Sequence, residues 1–560
     1  MINSRVSVGV EAIATGGKRI MSARFKPIFV LSAIVVLQSL VGCGGQEYSE
    51  TLERQQFSSY DRATEEAGTT APEAPIAETE DFNREDYNPI EENDFQLVRS
   101  QPLSTFAIDV DRASYSNVRR FLEMGQLPPK DAVRIEELIN YFSYNYPQPE
   151  GDVPFAISTE VSEAPWNRSH KLVRIGLQGR EVDTENLPPS NLVFLFDVSG
   201  SMEQPDKLPL LKSAFRLLVN ELDESDSVSI VVYAGAAGVV LPPTPGSEKD
   251  TILNALDQLQ AGGSTAGGEG IEKAYELARE NFIENGNNRV ILATDGDFNV
   301  GVSSEGALVR LVENKRDNGI FLTVLGFGTG NLQDAKMEQM ANHGNGNYAY
   351  IDSLLEAKKV LVTEIGGTLL TIAKDVKIQV EFNPSKVLAY RLIGYENRLL
   401  SDRDFNDDTK DAGELGAGHS VTALYEVIPV GAETDVNLPD VDDLRYQDTE
   451  VSPEAADSDE LMLVKLRYKE PDGDTSELIT QPLLDKGIRL DATSDDFRFA
   501  ASVAEFGMLL RDSSYKGDAT WEETLDLARN SRGEDAEGYR TEFMRLVEQA
   551  KILAKSAASQ

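Results

Sequence analysis

Phe196-Asp197-Val198-Ser199-Gly200-Ser201 is the stretch on which the reading of this chain turns. It closes a continuous apolar run, residues 192–196. After a Pro-containing loop it hands over to a helical pattern of Leu208, Leu211, Phe215, Leu218 and Leu222. An apolar run this short and unbroken suits a strand covered on both faces. Further runs at 228–233, 290–293 and 321–325 alternate with helical patterns, among them Ile271, Ala274, Tyr275 and Ala278. Parallel neighbours need crossover connections, so the alternation predicts an α/β unit over about 188–373, a mostly parallel sheet flanked by helices.

Asp197, Ser199 and Ser201 alternate along the chain and can turn three oxygens to one point, with Gly200 permitting the sharp turn between them. A second segment, Gly262-Gly263-Ser264-Thr265, precedes a helical pattern and adds the Thr265 hydroxyl. A third, Thr294-Asp295-Gly296-Asp297, places Asp295 at the carboxyl end of the 290–293 run. Ligand sites of open α/β sheets gather at the carboxyl ends of strands. Carboxylates and hydroxyls are hard donors of the kind that Mg²⁺, Ca²⁺ and Mn²⁺ prefer.

Asp197, Ser199, Ser201, Thr265 and Asp295 together resemble the metal-ion-dependent adhesion site of von Willebrand factor A (VWA) domains, with all the motif positions matched. The resemblance implies a Rossmann-like VWA fold and a divalent cation, usually Mg²⁺. It implies that Ser199, Ser201 and Thr265 coordinate directly or through water, and that Asp197 and Asp295 often act through water. The sixth position would fall to an acidic side chain of a partner protein. Other chemistries fit less well. A calcium loop starting at Asp295 has Val300 where its glycine belongs and Gly306 where its last glutamate belongs. The glycines at 262–270 lack the Lys-Ser/Thr ending of a phosphate loop. No His or Lys pattern near Ser199 and Ser201 supplies the base a nucleophile needs. Asp297 is expected to be an ordinary loop carboxylate and His343 a surface turn residue.

The net charge of -41 disfavours nucleic acid and anionic membrane surfaces as partners. The only cysteine is Cys43, and the histidines, His170, His343 and His419, lie far apart, so neither an internal disulfide nor a Cys/His zinc site is expected. Arg24 and Lys26, the apolar residues 28–37 and then Leu40-Val41-Gly42-Cys43 have the layout of a secretory signal. The last four residues resemble the lipobox of bacterial lipoproteins. That resemblance implies a signal peptide over 1–43, with Met21 the more natural start, and a lipid on Cys43. Gly44 then favours the outer membrane, by similarity to Gram-negative lipoproteins. Residues 44–94 are acidic and rich in Ser, Thr, Ala and Pro, and read as a disordered tether that would span about 35–40 Å.

Flanking the central unit, residues 95–183 and 375–556 carry strand patterns, and the chain finishes in helical patterns at Phe499, Val503, Phe506 and Leu510 and at Tyr539, Phe543, Leu546, Ala550 and Leu553. This predicts a β-rich or α+β domain, with strands before 183 pairing with strands after 375. Asp111 and Ser114 are expected to compete as caps for the helix they precede. Residues 104–111 and 127–138 resemble the N-terminal region of YfbK-type bacterial lipoproteins, and the part after 375 is similar to that family's C-terminal domain of unknown function. The functional expectation is a lipid-anchored, non-enzymatic, metal-dependent protein-binding module of the cell envelope. The alternatives are an envelope protein in which the metal only staples loops and, less favoured, a metal-dependent hydrolase.

Overall fold

The computed structural model describes residues 85–109, 111–182, 188–263, 267–296, 305–364, 370–410, 412–438, 451–471 and 473–557. Cys43, nearly all of the tether, Thr265 and Asp297 lie outside them. The central unit is a six-stranded sheet in the order Tyr348–Ile351, Phe321–Phe327, Asn287–Thr294, Ser190–Asp197, Ser227–Ala234, Ala236–Pro245. The first five strands run parallel, as the alternating pattern requires. The sixth is antiparallel and closes a hairpin through Gly235 at φ 70°. This edge strand carries Pro242, Pro243 and Pro245 and leaves Val239 and Val240 exposed, so neither a buried run nor an alternation announces it.

Helices cover both faces. Leu211, Phe215 and Leu218 of Leu208–Glu221 join Ile252 and Leu256 of Lys249–Gln258 against Phe194 and Phe196 on one face. On the other, Ile271, Ala274, Leu308, Val312 and Met337 pack on Val193, Leu195 and Leu292. Every residue of Ser190–Asp197 is therefore buried. An unbroken apolar strand here is a consequence of a sheet sandwiched between two helical layers.

The flanks form two antiparallel sheets. Strand Asn167–Gly179 pairs with Ser420–Pro429, and Leu103–Ala107 pairs with Thr371–Phe382, so residues before 183 and after 370 share both sheets. The central unit is inserted between them. Inner-face residues Phe106, Val173, Ile175, Ile378, Val380, Tyr425 and Val464 make the core of the sandwich. Helices Ala113–Glu123, Ile135–Asn140, Asp495–Arg511 and Tyr539–Ala557 gather over the outer face of one sheet around Phe142, Phe499, Phe506 and Phe543.

Three local expectations differ. Neither Asp111 nor Ser114 caps the helix from Ala113: Asp111 accepts the Tyr348 N–H at 2.8 Å, and the Ser114 hydroxyl donates to the Ala132 carbonyl at 2.7 Å. His343 ends a helix, Asp334–His343, beside Glu313 rather than sitting in a turn. The solvated stretch also stops short of Asp94. Glu85 is bound by both Arg120 amines at 2.8 and 2.9 Å, Ile90 N–H donates to Asp131, and Asn93 donates to the carbonyls of Leu392 and Gly394.

Buried ion pairs join the inserted unit to its scaffold. Arg119 reaches Asp352 and Glu356, Arg134 reaches Asp334, and Arg398 reaches Asp111 and Glu338.

Candidate metal centre

The Ser190–Asp197 strand delivers Asp197 to the carboxyl end of the sheet with none of its surface exposed. There Oδ1 accepts the Ser199 N–H at 2.9 Å, while Oδ2 accepts the Tyr233 and Thr294 hydroxyls, each at 3.2 Å. Burial pushes the carboxyl up to about 6, the Ser199 hydrogen bonds pull against it, and the charge of Asp295 adds to the rise. The chain then turns into a short 3-10 helix, Gly200–Glu203, which sets the Ser199 and Ser201 hydroxyl oxygens 3.0 Å apart.

Two backbone bonds tie this turn to the second segment. Gly262 N–H donates to the Val198 carbonyl at 2.8 Å and Gly200 N–H donates to the Gly263 carbonyl at 3.1 Å. Gly263 holds φ 88°, and a β-carbon there would sit 3.3 Å from the Ala234 carbonyl oxygen. The bonds fix Gly262 and Gly263, the last described residues before Thr265.

Asp295 follows the neighbouring strand Asn287–Thr294 and is 1% exposed. Its Oδ2 accepts from Lys207 Nζ at 2.8 Å and from the Asn331 amide at 3.5 Å. Gly296 holds φ 104°, and a β-carbon there would come 2.4 Å from the Asn331 carbonyl oxygen, so only glycine lets the chain leave Asp295 this way. Asp197, Ser199, Ser201 and Asp295 are thus brought to one rim between adjacent parallel strands.

This donor set, two carboxylates and two hydroxyls, suits a hard divalent cation and offers no soft ligand. Asp197, Ser199, Ser201 and Asp295 would face the ion, with Thr265 the expected fifth donor. Lys207, Tyr233 and Thr294 were not singled out from the sequence. Lys207 lies 88 residues from the aspartate it binds. Tyr233 and Thr294 end strands as ordinary buried residues, so only the sheet order reveals them. Among the described residues one other carboxylate group is close enough to share a cation: Asp111, Glu137 and Glu338. Guanidinium groups already serve it, Arg398 on Asp111 and Glu338 and Arg134 on Glu137. It is an ion network that joins the inserted unit to the scaffold.

This geometry defines a VWA domain carried as an insertion in a β-sandwich with a helical cap. Models of known families agree with it. "von Willebrand factor type A domain" matches residues 191–363, "von Willebrand factor" matches 81–174, and "Uncharacterized protein YfbK, C-terminal" matches 367–553. The chain is 44% identical over 471 residues to "Uncharacterized protein YfbK" of Escherichia coli (strain K12), which covers 83% of this chain and 80% of that protein. The chain belongs to the YfbK family. It is also 27% identical over 263 residues to inter-alpha-trypsin inhibitor heavy chain H3 of Homo sapiens, covering 43% of this chain and 28% of that one. A solved structure, von Willebrand factor type A from Catenulispora acidiphila, is 17% identical with a TM-score of 0.38, covering 70% of this chain and 89% of that one.

Proposed function

We propose that this protein binds one divalent cation, Mg²⁺ foremost, at Asp197, Ser199, Ser201, Thr265 and Asp295, and uses it to hold an acidic side chain of a partner protein. It would do so in the bacterial envelope, anchored by a lipid on Cys43. The observation that carries the reading is the convergence of Asp197, Ser199, Ser201 and Asp295 on one rim. Mg²⁺ wants six oxygens in a near-octahedral shell and readily keeps waters. With carboxylates acting through water, the ion stays electrophilic, and an incoming Asp or Glu can replace a water. Binding would then be specific for carboxylate and lost on chelation.

Two observations favour this over the rivals. A metal that merely stapled loops would be redundant, because backbone bonds already join Val198 and Gly200 to Gly262 and Gly263, and Lys207 already holds Asp295. Hydrolysis by a metal-activated water is served by a general base beside it, and the only lysine seen at this rim among the described residues, Lys207, is an ammonium already spent on Asp295. The test is capture of partners from an envelope extract, in Mg²⁺ and in chelator, by the wild type and by Asp197→Ala. Capture should need Mg²⁺ and vanish in the variant while its circular dichroism stays native. Undiminished capture by Asp197→Ala would sink the reading.

A further inference from the structure

Lys207 is a charged group at the candidate metal rim, and the reading above uses it only as a partner that holds Asp295. Its side chain is 2% exposed, and its ammonium lies 2.8 Å from Asp295 Oδ2. The stem is seated as well as the head. It runs over Gly328, where a β-carbon would lie 2.2 Å from Lys207 Cγ and 2.4 Å from Cε. Gly328 holds φ +72° and leaves the space that the stem fills. A long flexible side chain seated at both ends is aimed at Asp295.

We propose that Lys207 is a specificity-determining residue of the metal site, setting its charge so that the loaded site selects a carboxylate. The inference rests on the metal reading above. Asp197 and Asp295 alone would neutralise a divalent cation. With the Lys207 ammonium the same constellation carries a net charge of -1 before the ion binds and +1 after. A fixed positive charge in a buried, weakly screened site repels the incoming ion and attracts an anion once the ion is in place. Lys207 therefore weakens the hold on the metal and strengthens the hold of the metal-loaded site on a carboxylate. Neutralising it should tighten metal binding on the order of tenfold and weaken carboxylate binding by several-fold.

The experiment uses the full chain with Mn²⁺ as probe. Electron paramagnetic resonance of free Mn²⁺ gives the metal Kd. Water-proton relaxation of the bound ion, titrated with acetate, gives the carboxylate Kd. Lys207→Met keeps the stem and removes the charge, Lys207→Gln does the same with a polar end should the methionine variant fold poorly, and Lys207→Arg keeps the charge. The expected result is a Mn²⁺ Kd about tenfold lower and an acetate Kd several-fold higher in the two neutral variants, with the arginine variant close to wild type. A wild-type chain that binds Mn²⁺ while the neutral variants bind it equally or more weakly overturns the role of Lys207 and leaves the metal site standing. Equal acetate affinity in wild type and neutral variants overturns it too. Failure of the wild type and of both neutral variants to bind Mn²⁺ overturns the metal site and this inference together.

Discussion

Replacing Arg119 by methionine should unfasten the inserted unit from its scaffold. The Arg119 guanidinium donates from Nε to Asp352 Oδ2 at 2.7 Å and from Nη2 to Asp352 Oδ1 at 2.5 Å and Glu356 Oε2 at 2.7 Å. It also donates from Nη1 to Glu542 at 2.9 Å and to the Tyr141 hydroxyl at 3.1 Å. The side chains of Arg119, Asp352 and Glu356 are 5%, 8% and 3% exposed, so solvent screens them little. Arg119 lies on the helix Ala113–Glu123 and Glu542 on the terminal helix, whereas Asp352 and Glu356 belong to the end of the inserted unit. One cation thus holds carboxylates from both bodies. Removing one partner of a buried ion pair typically costs about 3–5 kcal/mol, because the charges left behind stay desolvated and unpaired. Arg119→Met should lose about that much at pH 7, read as a lower midpoint in equilibrium urea unfolding. Neutralising the stranded acids in the same chain, with Asp352→Asn and Glu356→Gln, should recover half or more, since most of the cost is the orphaned charge. A loss below about 1 kcal/mol for the single variant, or no recovery in the triple, would refute the reasoning.

A second stability prediction concerns Glu505, whose carboxyl lies in the helical core with Oε2 lacking a hydrogen-bond partner among the described residues, and which burial pushes up to about 8 from 4.5. The folded state therefore holds this proton more tightly than the unfolded chain, so its contribution is fully present below pH 4.5 and is lost as pH rises towards 8. Glu505→Gln should out-stabilise the wild type by an amount that grows from pH 4.5 to about 3 kcal/mol at pH 7, measured by urea unfolding across that range, and a pH-independent difference would contradict the burial argument. The proposed lipid anchor rests on the resemblance of Leu40-Val41-Gly42-Cys43 to a lipobox. Radiolabelled palmitate fed to expressing bacterial cells should appear in the wild type and be absent from Cys43→Ala, and equal label in both would remove the anchor.

The α/β unit was legible because its strands are buried on both faces, and such strands announce themselves as unbroken apolar runs. The convergence of the candidate site residues at one rim was legible for a different reason. Asp197, Ser199 and Ser201 are local in sequence, and Asp295 follows directly on an apolar run. What escaped notice depends on pairing across long separations. Lys207 reads as an ordinary lysine at the start of a helix until the sheet order brings Asp295 beside it. Glu85 sits at the end of an acidic run that composition assigns to solvent, and its partner Arg120 is 35 residues away. Burial alone would raise the Glu85 carboxyl, but the hydrogen bond and charge of Arg120 override it and hold the group below its usual range. Asp111 misled for the same reason. A residue with the right chemistry and position to cap a helix is taken instead by a strand end, Tyr348, that lies 237 residues on.

These long-range pairings also explain why the scaffold bears on the candidate metal rim. The loop at 328–333 follows the Phe321–Phe327 strand and borders Asp295: its Asn331 amide donates to Asp295, and its Gly328 seats the Lys207 stem. The other side of the loop is gripped by the segment entering the scaffold. Gly330 N–H donates to the Glu85 carboxylate at 3.0 Å, Asp86 N–H donates to the Leu332 carbonyl at 3.0 Å, and Asp86 bridges Gln333. Glu85 is in turn clamped by Arg120, which stacks at 5.3 Å over Tyr350 of the sheet's far edge strand. A loop at the end of a strand is ordinarily a mobile part of such a fold. Here it is held on one face by Asp295 and Lys207 and on the other by a strap rooted in the scaffold. The position of Asp295 therefore depends on the flanking domain as well as on the VWA unit.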